Sequence, residues 1–307
     1  MRRAFTGTLC KLAESDPNIV LMTADLGFMV LEQFAEAYPE RFINVGVAEA
    51  NMIGLATGLA SCGYVPYVYS IATFASMRGY EQIRNGPILH DLPVRIIGVG
   101  GGFEYGHAGI THHALEDLGI MRIQPGLTVV APADHMQAAE AIRATAGLPG
   151  PVYLRIGKRE DYTLPGLEGR FRLGRAETVR EGGDLLIVTL GSISSEAVAA
   201  AEKLAKDGIE TCVTVVSSLR PAPSEDLAAR LGEVGLALTV EEHYVDCGLG
   251  SLVAEVAAEH GIGCRIVRCG VRRMAAACDG ETCLRDRNGL SAEGLYRTAI
   301  SALKEQG

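Results

Sequence analysis

The chain has 307 residues, of which 48% are hydrophobic and 21% charged, and its formal net charge is −9. That length exceeds one ordinary core and suits two domains. The acidic balance excludes a general nucleic-acid binder, which needs clustered Lys and Arg, and no run of about 18 apolar residues is present to cross a membrane.

The N-terminus, Met1 to Gly7, is basic but lacks the apolar core of a signal peptide, so a cytoplasmic protein is expected. A helical pattern covers Ala4 to Glu14 and a strand Ile19 to Thr23. Helical patterns follow at Val30 to Tyr38, Glu49 to Ser61 and Phe74 to Arg84, with strands at Tyr64 to Tyr69 and Val94 to Val99. Leu127 to Ala131 and Val152 to Arg155 read as strands flanking a helix, Asp134 to Thr145, whose first residue suits an N-cap. Buried strands spaced by crossover helices predict a parallel, doubly wound α/β sheet. From Asp161 to Asp184 the pattern lapses, as a linker with room for a short strand. A second alternation begins with strands Leu185 to Leu190 and Thr211 to Val216 around a helix, Ser194 to Lys206. Strand Leu236 to Val240, helix Leu249 to Glu259, strand Arg265 to Arg268 and a closing helix, Ser291 to Leu303, complete it. Two α/β domains are expected, 1–165 and a smaller 181–307, joined by a linker at 166–180.

Three segments could carry chemistry. Arg41 to Ala60 runs from a short strand into a helix of small residues with Glu49 in its first turn, where an acidic side chain also suits the helix dipole. Tyr69 to Asn85 leaves a strand through a loop at Phe74, which could fill core or offer a stacking face. Gly98 to Asp117 is a glycine-rich loop with three histidines, His107, His112 and His113. No helix begins where a dinucleotide fingerprint needs one, so nicotinamide binding is disfavoured and a catalytic or polar-recognition His is the better reading. The eight cysteines show no Cys-x-x-Cys pair and fit no common zinc spacing, so reduced thiols are expected.

Taken in order, these segments resemble the pyrimidine-binding domain of the transketolase family. The resemblance rests on Gly46 to Met52, Thr73-Phe74 with Glu81 to Arg84, Gly109 to Asp117, then Arg122, Pro125 and Pro132-Ala133-Asp134, with Thr23 to Leu26 upstream. Val240 to His243 and Gly248 to Ser251 are similar to the family's C-terminal domain. No Gly-Asp-Gly…Asn segment is present, and Asp279-Gly280 lacks its first glycine. The resemblance therefore implies the second half of a split enzyme. An N-terminal partner subunit would hold the diphosphate of thiamine diphosphate and its Mg2+, in an α2β2 heterotetramer, and this chain would have no metal site of its own.

The resemblance also implies roles. Glu49 would bond N1′ of the cofactor's pyrimidine and Phe74 would stack on that ring. Asp25 and Leu26 would lie beside the cofactor, and His112 would contact the donor and aid proton transfer. The implied reaction moves a two-carbon ketol unit from a ketose to an aldehyde. Arg2 lies near the family's phosphate-binding Arg, and Lys158 stands where an Arg is usual. Ala108, Gly100 and Met29 stand where the family has an acidic residue, a phosphate-contacting His and a Ser. A specialised, less phosphorylated or non-sugar substrate is expected on that account. The alternatives are the β subunit of a 2-oxo-acid dehydrogenase E1, a deoxyxylulose-phosphate-synthase-like enzyme, and a non-catalytic subunit that stabilises its partner.

Overall fold

The computed structural model describes residues 1–274 and 278–305. Helix α1 (Arg2–Ser15) leads into strand β1 (Ile19–Thr23), then α2 (Glu32–Ala37), β2 (Phe42–Asn44), α3 (Glu49–Ser61) and β3 (Val65–Ile71). A short helix α4 (Tyr80–Ile83), strand β4 (Arg95–Val99), α5 (Asp117–Arg122), β5 (Thr128–Val130), α6 (His135–Ala146) and β6 (Val152–Ile156) follow. The second half runs β7 (Glu177–Arg180), β8 (Leu185–Thr189), α7 (Ser194–Lys206), β9 (Thr211–Val215), β10 (Ser218–Arg220), α8 (Ser224–Gly232) and β11 (Leu236–Tyr244). It closes with α9 (Leu249–Glu259), β12 (Arg265–Val271), α10 (Glu281–Arg287) and α11 (Ala292–Lys304).

These strands make two sheets. The first has the order β10-β5-β6-β4-β3-β1-β2 and is parallel except for β10. Its strands are apolar on both faces, and their alternate residues feed two cores. Val20, Met22, Val68 and Ile96 pack toward Met52 and Ile53 of α3. Ile19, Leu21, Tyr67, Tyr69 and Ile97 pack toward Phe5, Phe34 and Ile142 of α1, α2 and α6. This is the doubly wound arrangement that the continuous apolar runs predict. The second sheet, β12-β11-β8-β9-β7, is parallel except at its edge strand β7. There Ala197, Ala200, Ala201 and Leu204 of α7 bury one helical stripe.

The helix caps follow the sequence. The Asp134 carboxylate accepts the Gln137 amide at 2.7 Å, and Ser291 Oγ accepts the Gly294 amide at 3.3 Å. Two stretches differ from expectation. The single helix expected at Phe74 to Arg84 is broken into a π-helical turn, Phe74–Arg78, then α4, then a second π turn, Arg84–Ile88. Pro87 lies in the last of these and cannot supply the amide an α-helix requires. The expected linker contains β7, the short strand it had room for, whereas β10, which was not expected, leaves the second half of the chain to join the first sheet. Neither is an apolar run: only Glu177 of β7 is buried, and β10 is three residues long.

The halves are fastened by polar contacts. Within the second half, Arg285 of α10 donates to both oxygens of Glu242 on β11 at 2.7 and 2.9 Å, and two bonds then cross to the first half. Arg155 Nη2 donates to the Glu242 carbonyl at 2.8 Å, and the Gly119 amide donates to His243 Nε2 at 3.0 Å.

Candidate active site

The chain order reverses between β1 and β3, since β2 lies on one side of β1 and β3 on the other. Open α/β sheets bind ligands beyond the carboxyl ends of their strands at such a point. Glu49 opens α3 there, and its side chain is 3% exposed. Ser70 Oγ, on β3, donates to Oε1 at 3.2 Å. Arg78 Nη1 donates to Oε1 and Oε2 at 3.2 and 3.0 Å. A helix dipole alone does not require a buried carboxylate with two side-chain donors, so Glu49 is more than a first-turn charge.

Phe74 is half-buried, and the Arg78 guanidinium lies over its ring, 3.9 Å from the centroid. Arg78 is itself 47% exposed. It is thus a flat N–H donor stacked on Phe74 and bonded to Glu49. Those two contacts are the ones a planar aminopyrimidine would need, so the residues present fit the pyrimidine of thiamine diphosphate.

The His112 ring stands 5.0 Å from Phe74 at 64°, and its Nδ1 is 3.0 Å from Thr111 Oγ1. Partial burial pushes its pKa down, helped by the nearby Arg78 and His113 charges. Its neighbour His113 is buried and bonded to the Gly106 carbonyl at 3.1 Å, a structural use. Tyr105 lies 6.0 Å beyond His112, and the Lys158 ammonium rests 3.9 Å over the Tyr105 ring. Arg2 pairs with Glu160 at 2.9 Å. The fold therefore lines up Glu49, Phe74, His112 and Lys158 through Arg78 and Tyr105.

Asp25 and Leu26 are set apart. They line a separate cavity of about 150 Å3 at the ends of β1 and β2. Asp25 adopts φ 58° and exchanges two hydrogen bonds with Asn44, each 3.0 Å. The sequence did not single out Arg78, Ser70 or Tyr105. The four-residue step from Phe74 to Arg78 was the available signal for one of them.

Large apolar side chains on the elements carrying Glu49 and Arg78 face outward: Val47 is 71%, Met77 51% and Leu55 47% exposed. Among the described residues no group of three or more His, Cys, Asp or Glu is placed to hold a metal ion. No helix among them is long and apolar enough to cross a membrane.

Two family models match the chain. Residues 1–162 match the transketolase pyrimidine-binding domain, and residues 174–286 match the transketolase C-terminal domain. An apulose-4-phosphate transketolase subunit of Phocaeicola vulgatus is 34% identical, over 99% of this chain and 97% of that protein. A 6-deoxy-6-sulfo-D-fructose transketolase subunit of a Clostridium species is 35% identical, over 97% and 93%. A solved structure described as a split gene transketolase, inactive beta4 tetramer, superposes with a TM-score of 0.90 at 36% identity, covering 99% of this chain and 98% of the other.

Proposed function

This chain belongs to the transketolase family, and from that premise we propose that it is the pyrimidine-binding subunit of a split transketolase, active with an N-terminal partner. The observation that carries the reading is the buried Glu49 carboxylate beside the Phe74 ring, bridged by the flat Arg78 guanidinium. When bound, thiamine diphosphate supplies the carbon nucleophile and electron sink for moving a two-carbon ketol unit from a ketose donor to an aldehyde.

The residues of this chain prepare that step. Glu49 accepts a proton-bearing ring nitrogen and Ser70 holds one of its oxygens. Phe74 stacks on the flat ring and fixes its tilt. His112, with its pKa lowered, is largely neutral near pH 7 and can take a proton from a donor hydroxyl. Asp25 and Leu26 line the separate cavity at the ends of β1 and β2, away from Glu49 and Phe74. The diphosphate and Mg2+ fall to the partner. The exposed Val47, Leu55 and Met77 support a partner face here, because water-exposed apolar side chains beside a functional carboxylate suit an interface. An α2β2 assembly gives each cofactor one wall from each kind of subunit.

Calorimetry of thiamine diphosphate with this chain, with its partner and with both tests the reading. Tight binding that needs both chains, with ketol transfer lost in Glu49→Gln, is the expected result. A folded pair that binds no cofactor would overturn it.

A further inference from the structure

A larger hollow, of about 380 Å3, opens where the two halves of the chain meet. One wall is α5 of the first half, through Ile120 and Ile123. The others are the carboxyl ends of the parallel neighbours β11 and β12, through Cys247 after the first and Arg272, Arg273 and Met274 after the second. Open α/β sheets take ligands at that end of their strands, and domain junctions hold small-molecule pockets of about 300–1,000 Å3.

The hollow is shaped locally. Gly119 lets α5 close on β11, since a Cβ there would fall 3.2 Å from both Cys247 Cβ and His243 Cε1. His243 also lines the hollow, and both its nitrogens are spent. Nε2 accepts the Gly119 amide at 3.0 Å, so Nδ1 carries the proton and donates to the Tyr244 carbonyl at 2.7 Å. Ile123 and Met274 are 60% and 62% exposed, so apolar surface faces the opening.

Four charged side chains line the same space: Glu116, Asp246, Arg272 and Arg273. Glu116 is half-buried and accepts the Leu115 amide at 3.1 Å, and burial raises its pKa. Asp246 faces Arg268 at 3.6 Å. Arg272 gives one N–H to the Arg268 carbonyl at 3.1 Å. Among the described residues, neither Arg272 nor Arg273 has a carboxylate within ion-pair distance, and the Arg273 side chain has no hydrogen-bond partner. Each guanidinium is a fork of N–H donors that matches a carboxylate. Unpaired forks beside exposed isoleucine and methionine suit an apolar molecule that carries one acid group.

We propose that this hollow is a second ligand site, for a small molecule of one or two rings bearing a carboxylate. The apolar body lies against Ile120, Ile123 and Met274, and the carboxylate pairs with Arg272 and Arg273. None of these residues belongs to the row from Glu49 to Lys158, so the site goes beyond the transketolase reading and stands or falls separately.

The test is calorimetry on the full chain with indole-3-propanoate, the matching alcohol and acetate. The propanoate should bind at least about tenfold tighter than the alcohol, since charge-assisted bonds are the strong ones. Acetate, which lacks the apolar body, should bind at least about tenfold more weakly than the propanoate. Arg272→Met combined with Arg273→Met should weaken propanoate binding by about tenfold, as should Ile123→Asp. All three side chains are exposed, and a thermal melt of each variant checks that the fold survives. Saturating propanoate should also slow alkylation of Cys247 by iodoacetamide at least about fivefold, read by peptide mass spectrometry, and leave the exposed Cys62 unchanged. A propanoate no tighter than the alcohol, unchanged binding in the folded double variant, or an unprotected Cys247 overturns the proposal. So does loss of binding once the N-terminal partner is added, which would assign the hollow to the subunit contact. The protection measurement uses the unaltered chain, so it decides the matter even where a variant misfolds.

Discussion

A carboxylate removed from water needs partners, and Glu49 has two, Ser70 and Arg78. Glutamine at this position keeps the shape but gives up the charge that a ring nitrogen and the guanidinium both require. Glu49→Gln should lower ketol transfer by the reconstituted pair at least about 100-fold, the scale of a lost proton-transfer partner. Single-turnover kinetics would show whether the loss falls on the chemical step. Glu49, Phe74 and His112 were legible in the sequence because each sits in a short ordered motif. Arg78 and Tyr105 were not. Their placement follows from what they lie against, Phe74 for one and the bare backbone at Gly100 for the other. A string of letters does not display either contact.

At the scale of elements, the start of α9 is built on a buried carboxyl group. Glu241 is buried, and its carboxylate accepts the Leu249 and Gly250 amides at 2.7 and 2.8 Å. Burial outweighs those bonds and raises its pKa to about 7. The native state therefore favours the protonated acid more than the unfolded chain does. The sign follows: the stabilisation is full below about 4.5 and is lost as pH rises through about 7. Denaturant midpoints should fall between pH 5 and 8, and Glu241→Gln should flatten that dependence. An equal slope in the variant would rule Glu241 out as its source. A second element contact is the seat of α10 against the glycine-rich loop. A Cβ at Gly106 would lie 2.3 Å from the Asp279 carbonyl and 2.9 Å from the Glu281 amide. Backbone cannot yield as a side-chain tip can, so Gly106→Ala should cost about 1–3 kcal/mol in a thermal melt. The long helices and buried strands were readable from periodicity alone. The π turns near Arg78 and strand β10 were not, since Pro87 interrupts the first pattern and pairing with β5 rather than local pattern makes the second.

The whole molecule is two sheets that do not divide cleanly along the chain. Strand β10 returns to the first sheet, and one apolar cluster runs from Met22 and Met52 to Leu186 and Leu252. Arg285 and Glu242 sit at this junction, both almost fully buried and bonded twice. Removing only the cation strands a buried carboxylate. Arg285→Met should therefore destabilise by about 3–5 kcal/mol, measured by urea unfolding. A near-neutral result would mean that Glu242 reaches water once released. The Arg78 guanidinium has a wider consequence. It lies in the seat proposed for the pyrimidine, so it acts as a tethered competitor whose concentration at Glu49 is set by its own side chain. On the proposed reading, a measured dissociation constant for the cofactor is the intrinsic one divided by the fraction of time that this arm is undocked. Arg78 is half exposed, so salt should weaken its hold on Glu49. Glu49 is thus already paired within its own chain, and on the proposed reading cofactor occupancy is an exchange of one flat donor for another.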